Sequence, residues 1–171
     1  RQMCIRDSPS PPPRPPPVAT DESMWRGDVV VTTSNSGTWP SVASLSASAG
    51  IACWDENALM CMQLLVNGTT MVSAGAALTV ESYQSTYVSV SALDESNAVV
   101  CYVRSGRGYC RLLTALVGGG LSRSSGVTYD TSGYQSWSSV AALDSSTALL
   151  CYEDSSYVRG YCQKMDPVSY T

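Results

Sequence analysis

The stretch SVAALDSSTALLCYEDSSYVRGYC, Ser139 to Cys162, decides the fold because it occurs three times. It reads SVSALDESNAVVCYVRSGRGYC from Ser89 to Cys110 and SVASLSASAGIACWDENALMC from Ser41 to Cys61. Cys53, Cys101 and Cys151 hold one position in the three copies and lie 48 and 50 residues apart. A period in this range corresponds to one supersecondary unit per repeat. The copies start near Thr38, Thr86 and Ser136.

Each copy predicts four short strands bounded by turn residues. Strand a is SVAAL (Ser139–Leu143), and Asp144-Ser145-Ser146-Thr147 turns it into strand b, ALLCY (Ala148–Tyr152). Strand c is clearest as YCRLLTAL (Tyr109–Leu116). Strand d is AALTV (Ala76–Val80) in the first copy and GVTY (Gly126–Tyr129) in the second. Asn67-Gly68 is a strong hairpin signal between c and d. DVVVTT (Asp28–Thr33) supplies a strand d for a neighbouring unit, and the third copy lacks its own d after Met165. The expected total is twelve strands.

The hairpin between b and c fixes the cysteine pairing. With Ser105-Gly106 as a two-residue turn, Arg104 faces Arg107, Tyr102 faces Tyr109, and Cys101 faces Cys110. The same folding pairs Cys53 with Cys61 around a loop centred on Asn57, and Cys151 with Cys162 around Ser155–Val158. Opposed residues of an antiparallel pair lie about 4.5–5.5 Å apart, within disulfide reach. Three hairpin disulfides are therefore expected. Zinc is the weaker reading, since CxxC spacing and histidine are both missing. Disulfides place the protein in an oxidising compartment, secreted or on a cell surface. Asn67-Gly68-Thr69 is a glycosylation sequon at a turn, which agrees with that location.

Strand a is rich in Ser and Ala, which suits the innermost strand of a propeller blade. Strand b carries Ile51, Val99 and Leu149 on the cysteine face and Trp54, Tyr102 and Tyr152 on the other. Such a strand belongs in the middle of a blade, covered on both sides. The pattern S-V-x-A-L-D-x-S-x-A-[VL]-[VL]-C-Y…G-Y-C resembles tandem β-propeller-like repeats of secreted proteins from marine algae and other protists. The resemblance covers about residues 38–171 and brings no activity with it. The first copy departs from it, with Ser46 for the Asp and no Gly-Tyr before Cys61. The expected fold is all-β, with three four-stranded blades forming a fragment of a larger propeller or a propeller-like array. A closed pseudo-threefold β-trefoil-like domain is the alternative.

The rest of the chain adds a domain plan. Residues 1–8 (RQMCIRDS) resemble translated sequencing-adapter DNA at the edge of an environmental contig. They are read as a non-native tail, so Cys4 is no part of the cysteine framework and the true N-terminus is missing. Residues 9–23 form a Pro-rich linker, PSPPPRPPP at its centre, extended because proline fixes φ and removes donors. This segment resembles the hydroxyproline-rich linkers of algal wall and matrix glycoproteins. Residues 24–171 are the repeat domain, with repeats at about 38–85, 86–135 and 136–171. Arg26-Gly27-Asp28 is read as a strand entry rather than an adhesion motif.

Composition narrows the function. A net charge of −4 with scattered arginines gives no basic footprint for nucleic acid. No apolar run approaches a membrane span. The chain has no His, the commonest general base, and no nucleophile–base pair. Glu153 and Asp154 are expected to be solvated in a hairpin loop, and Gly118-Gly119-Gly120 to be a c–d turn with no helix behind it for phosphate. No enzyme, cofactor or metal site is expected. Asp94 and Asp144 are read as turn residues that accept backbone N–H bonds, in preference to calcium ligands.

One aromatic recurs just before each strand a: Trp39, Tyr87 and Trp137, with Tyr83 and Tyr134 extending the rim. On the d–a connection these rings either wedge between blades or stack on sugars. Two functions follow from the sequence. The first is a non-catalytic extracellular module with a structural or adhesive role, its partners matrix proteins or further repeats of a longer chain. The second is a carbohydrate-binding, lectin-like module using one aromatic per repeat.

Overall fold

The computed structural model describes residues 38–67, 70–130 and 134–167. The N-terminal tail, the proline segment, the Arg-Gly-Asp triplet and the strand expected at 28–33 lie outside the described residues. Those described are 72% strand, with no α-helix among them. No helix there is long and apolar enough to cross a membrane.

Three antiparallel sheets follow one another along the chain. Sheet one is β1 (Thr38–Ser46), β2 (Ala49–Asp55), β3 (Leu59–Asn67) and β4 (Thr70–Glu81), in that order. Sheet two is β5 (Thr86–Ala92), β6 (Asn97–Arg104), β7 (Arg107–Ala115) and β8 (Leu121–Arg123), with β9 (Val127–Asp130) also on β7. Sheet three is β10 (Gln135–Ala142), β11 (Ala148–Asp154) and β12 (Arg159–Met165). No barrel closes among the described residues.

The b–c hairpins have the register derived from their turns. Cys53 pairs with Cys61, Cys101 with Cys110, and Cys151 with Cys162. Each pair is a disulfide with a Cα–Cα distance of 4.1 Å. Asn57, Ser105 and Val158 take the left-handed backbone these tight loops need, at φ of 68°, 50° and 50°.

Strand d differs from expectation in both copies that have one. In sheet one it runs twelve residues, Thr70–Glu81, where five were expected, with a register shift between Cys61 and Gln63. In sheet two it is broken into β8 and β9. Ser124 bridges the break: its N–H donates to the Leu112 carbonyl (2.9 Å) and its hydroxyl accepts from the Leu112 N–H (3.0 Å). The twelve described strands thus include one pair the sequence showed as a single strand.

Packing gives the sheets a direction. In a strand, alternate side chains face opposite ways. Ile51, Cys53 and Cys61 of sheet one pack with Val90, Val100 and Tyr102 of sheet two. The other face of sheet two, with Val99, Cys101, Cys110 and Leu112, packs with Val140, Leu150 and Met165 of sheet three. The cysteine face of each sheet thus meets the opposite face of the next. Full burial of each aliphatic side chain contributes roughly 1.5–3 kcal/mol, so these two interfaces dominate the stability.

Strand a is the edge of every sheet and carries N–H groups its own sheet leaves unused. Serines of the preceding sheet satisfy them. Ser41 Oγ accepts from the Val90 N–H (3.0 Å), Ser89 Oγ from the Val140 N–H (3.0 Å), and Ser91 Oγ from the Ala142 N–H (2.9 Å). Small side chains let β1, β5 and β10 lie close enough for this. The glycine run has a related purpose. A side chain on Gly75 (φ 88°) would meet the Gly120 backbone, whose N–H donates to the Ala74 carbonyl at 2.7 Å. Gly118–Gly120 therefore docks sheet two on β4.

Candidate functional site

Trp39, Tyr87 and Trp137 lie within strands β1, β5 and β10, not on the preceding connection as expected. The physical reason is a bulge. Between Thr38 and Ser41, Thr86 and Ser89, and Ser136 and Ser139, strand a carries one residue more than strand b. The three aromatics occupy these bulges with φ of 54°, 52° and 51°. Left-handed backbone at a bulky residue is rare and persists only where its surroundings over-determine it.

The bulges aim all three rings at one place. Ring centroids are 4.6 Å apart for Trp39–Tyr87, 5.2 Å for Tyr87–Trp137 and 6.4 Å for Trp39–Trp137. These distances and their tilted or edge-on angles are those of stabilising aromatic pairs. The Ser138 hydroxyl donates to the Tyr87 carbonyl and ties β10 to β5 at this level. Beside the rings is a shallow cavity of about 250 Å³, lined also by Val88, Ser138 and Ser139. Trp137 is 64% exposed and Trp39 and Tyr87 less so, so the trio is a half-open apolar platform without a charged group in its lining.

Tyr83 and Tyr134 do not join it; among the described residues neither makes a ring contact with the trio. Both go to the Ser105-Gly106 hairpin of sheet two. The Arg104 guanidinium lies over the Tyr83 ring at 5.3 Å, and a side chain on Gly106 would meet the Tyr134 backbone. The expected rim of five aromatics is therefore three rings at one spot and two elsewhere.

A second polar cluster lies between sheets one and two. The Glu81 carboxylate, at the end of β4, accepts from Arg104 Nη1 (2.9 Å), Arg111 Nη2 (3.3 Å), and the Tyr102 hydroxyl (3.3 Å). Arg111 Nε donates in turn to the Tyr102 oxygen (2.9 Å). Burial by itself would raise the Glu81 carboxyl, but Arg104, the Ser82 N–H and Arg111 together hold it below the ordinary range. Burial pushes the Tyr102 phenol up. Between sheets two and three the corresponding acid is Asp130, which accepts from Gln135 Nε2 (2.9 Å); burial first and the Asp130 charge next push the Tyr152 phenol up. Sequence reasoning passed over both acids. The available signal was their common place at the end of strand d, with Tyr102 and Tyr152 one position after the strand-b cysteines.

The remaining candidates have structural places. Asp144 accepts from the Ser146 and Thr147 N–H groups (2.8 Å each) and from the Thr147 hydroxyl (2.6 Å). The Thr147 hydroxyl, with the Ser146 donors, brings its carboxyl down to about 2. Asp94 caps the matching turn through Ser96 and Asn97, and Ser46 does so more weakly through the Ser48 N–H at 3.2 Å. Asp154 corrects the expectation of solvation: it ends β11, is buried, and accepts from the Ser156 N–H at 2.9 Å. Asn67 ends β3 and pairs with Thr70, which leaves Gly68 and Thr69 of the sequon outside the described residues. Among the described residues no three Cys, Asp or Glu side chains gather as a metal site would require.

The fold and sites define an all-β repeat protein of three disulfide-stapled sheets joined by serine and acid–tyrosine contacts. No protein-family model matches the chain, and no curated protein matches it.

Proposed function

We propose that the three sheets are blades of a propeller-like array in a secreted or cell-surface protein, and that the array is a non-catalytic module with a structural or adhesive role. The blade reading is supported by the serine-rich edge strands lying side by side while b, c and d follow outward in order. A trefoil needs strands paired across repeats into a barrel. One observation carries the functional reading: polar side chains with chemical potential are engaged in joining sheets. Ser41, Ser89 and Ser91 hold neighbouring backbones, and Glu81 is occupied by two arginines and a tyrosine. The three disulfides support an oxidising location. The test is secretion from a walled eukaryotic host, followed by separation of wall or matrix from medium. A structural or adhesive module is recovered with the wall or matrix; recovery in the medium alone sinks the proposal.

Exposure of the ring trio favours a second reading, carbohydrate binding on the Trp137 face. Sugar rings stack on such apolar platforms without needing charge. A glycan array decides it. Binding that disappears in Trp137→Ala supports a lectin-like site, and an array at background excludes it.

A further inference from the structure

Along strand a the two outer faces of the stack repeat the two halves of its internal interface, whereas Trp54, in the place of Tyr102, is already buried. Val42 occupies in β1 the place of Val90 in β5 and Val140 in β10. Val90 and Val140 are 6% and 7% exposed, each with its N–H held by a serine of the preceding sheet, whereas Val42 is 71% exposed. Ser139 stands where Ser41 and Ser89 stand, opposite the strand-b cysteine, and is exposed. The third cysteine face repeats the pattern: Cys53, Cys61, Cys101 and Cys110 are buried, while Cys162 is exposed and Leu149 partly so. Each outer face has a depression, about 300 Å³ beside Val42 and Ala52, and about 350 Å³ beside Ser139 and Cys162.

Repeat arrays remain soluble when their terminal repeats carry a polar outer face. At Val42 and Ala52 the first sheet is not built that way, and the third is so only in part, with Lys164 and Glu153 on the face that holds Leu149 and the Cys151–Cys162 bridge. We infer that the Val42 face of one copy docks on the Ser139 face of a second copy of this chain, repeating between molecules the contact that joins sheet one to two and two to three. Ser139 Oγ then accepts from the Val42 N–H of the other molecule, continuing the Ser41–Val90 and Ser89–Val140 series. The second copy is favoured over an unrelated partner because its strand a keeps at Val42 and Ser139 the residue types of the internal Ser41–Val90 and Ser89–Val140 contacts, even though Lys164 and Glu153 stand where Leu112 and Val103 stand in sheet two. The contact is head to tail. Such contacts close into a ring where the rotation permits and otherwise extend as a filament.

This inference gives the partner for the interaction role proposed above. It is tested on purified protein, so its failure and a failure of wall retention are separate results. The experiment is sedimentation velocity of the full oxidised chain over rising concentration, with Val42→Glu and Ser139→Glu as variants. Both sites are exposed, and intact disulfides with a wild-type circular dichroism spectrum establish that each variant folds. Burying a carboxylate at either site weakens the contact at least about tenfold. The wild type is expected to associate, each variant to sediment as a monomer, and an equal mixture of the two to form a dimer. The mixture restores one native contact, because each variant keeps the half that the other has lost. A wild type that stays monomeric throughout overturns the inference, as does a mixture that stays monomeric. Variants that associate like the wild type place the contact elsewhere and overturn it too.

Discussion

Gly108 lies beneath the ring of Tyr129, so close that a methyl group built on it would overlap the Tyr129 Cζ atom. Tyr129 is the bulged residue of β9, left between the pairs Gly108–Asp130 and Tyr109–Thr128, and its ring reaches Tyr152 of sheet three at 5.0 Å. In sheet one the same two places are taken by Leu59 and Val80. A large and a medium side chain there are replaced by none and a very large one.

Gly108→Ala is therefore expected to destabilise the protein by about 1–3 kcal/mol, the usual cost of overpacking. Gly108→Ala combined with Tyr129→Val should recover part of that loss by restoring room. Urea unfolding of the single and double variants measures both. An unchanged midpoint in Gly108→Ala would mean that Tyr129 rotates away freely.

Glu81→Gln is expected to cost about 1–3 kcal/mol, because Arg104 and Arg111 lose their shared carboxylate in a partly buried place. The acid limb of stability should change with it. The folded carboxyl lies below its ordinary value near 4.5, so its contribution is whole above that pH and is lost as pH falls through the folded pKa. Asp94 and Asp144 act in the same direction. Thermal melts should thus fall steeply below about pH 4.5 in the wild type and less steeply in Glu81→Gln.

At Trp137 the usual order of Ala and Gly is expected to reverse. Glycine in a strand is ordinarily the weaker of the two by roughly 0.5–1 kcal/mol. At φ 51° an L side chain carries a conformational cost of about 1–2 kcal/mol that glycine escapes. Trp137→Gly should match or exceed Trp137→Ala in denaturant midpoint. A clear advantage for Ala would show that the left-handed bulge is an effect of the Trp ring rather than of the strand register.

Mild reduction should open Cys151–Cys162 first, since Cys162 is exposed and the other two bridges are buried between sheets. Timed alkylation with peptide mass mapping gives the order. Where the chain associates head to tail, the same bridge is covered, so its reduction should slow as concentration rises.

The sequence by itself determined what is local. Three copies of one unit, the b–c hairpin register and the cysteine pairs were all readable at Cys53–Cys61, Cys101–Cys110 and Cys151–Cys162. Turn length and a two-residue side-chain period fix those contacts over separations of 8, 9 and 11 residues. The turn role of Asp94 and Asp144 was legible for the same reason. Only the tertiary structure decided how the units meet. Strand b is apolar on both faces, so Val99 and Val100 gave no sign of which faces sheet one and which sheet three. The Ser41–Val90 bond, the Glu81–Arg111 pair and the meeting of Trp39, Tyr87 and Trp137 join residues from different repeats. No local period encodes such contacts. They exist because sheets one and two must bury their cysteine faces, and the side chains of the next sheet are what covers them.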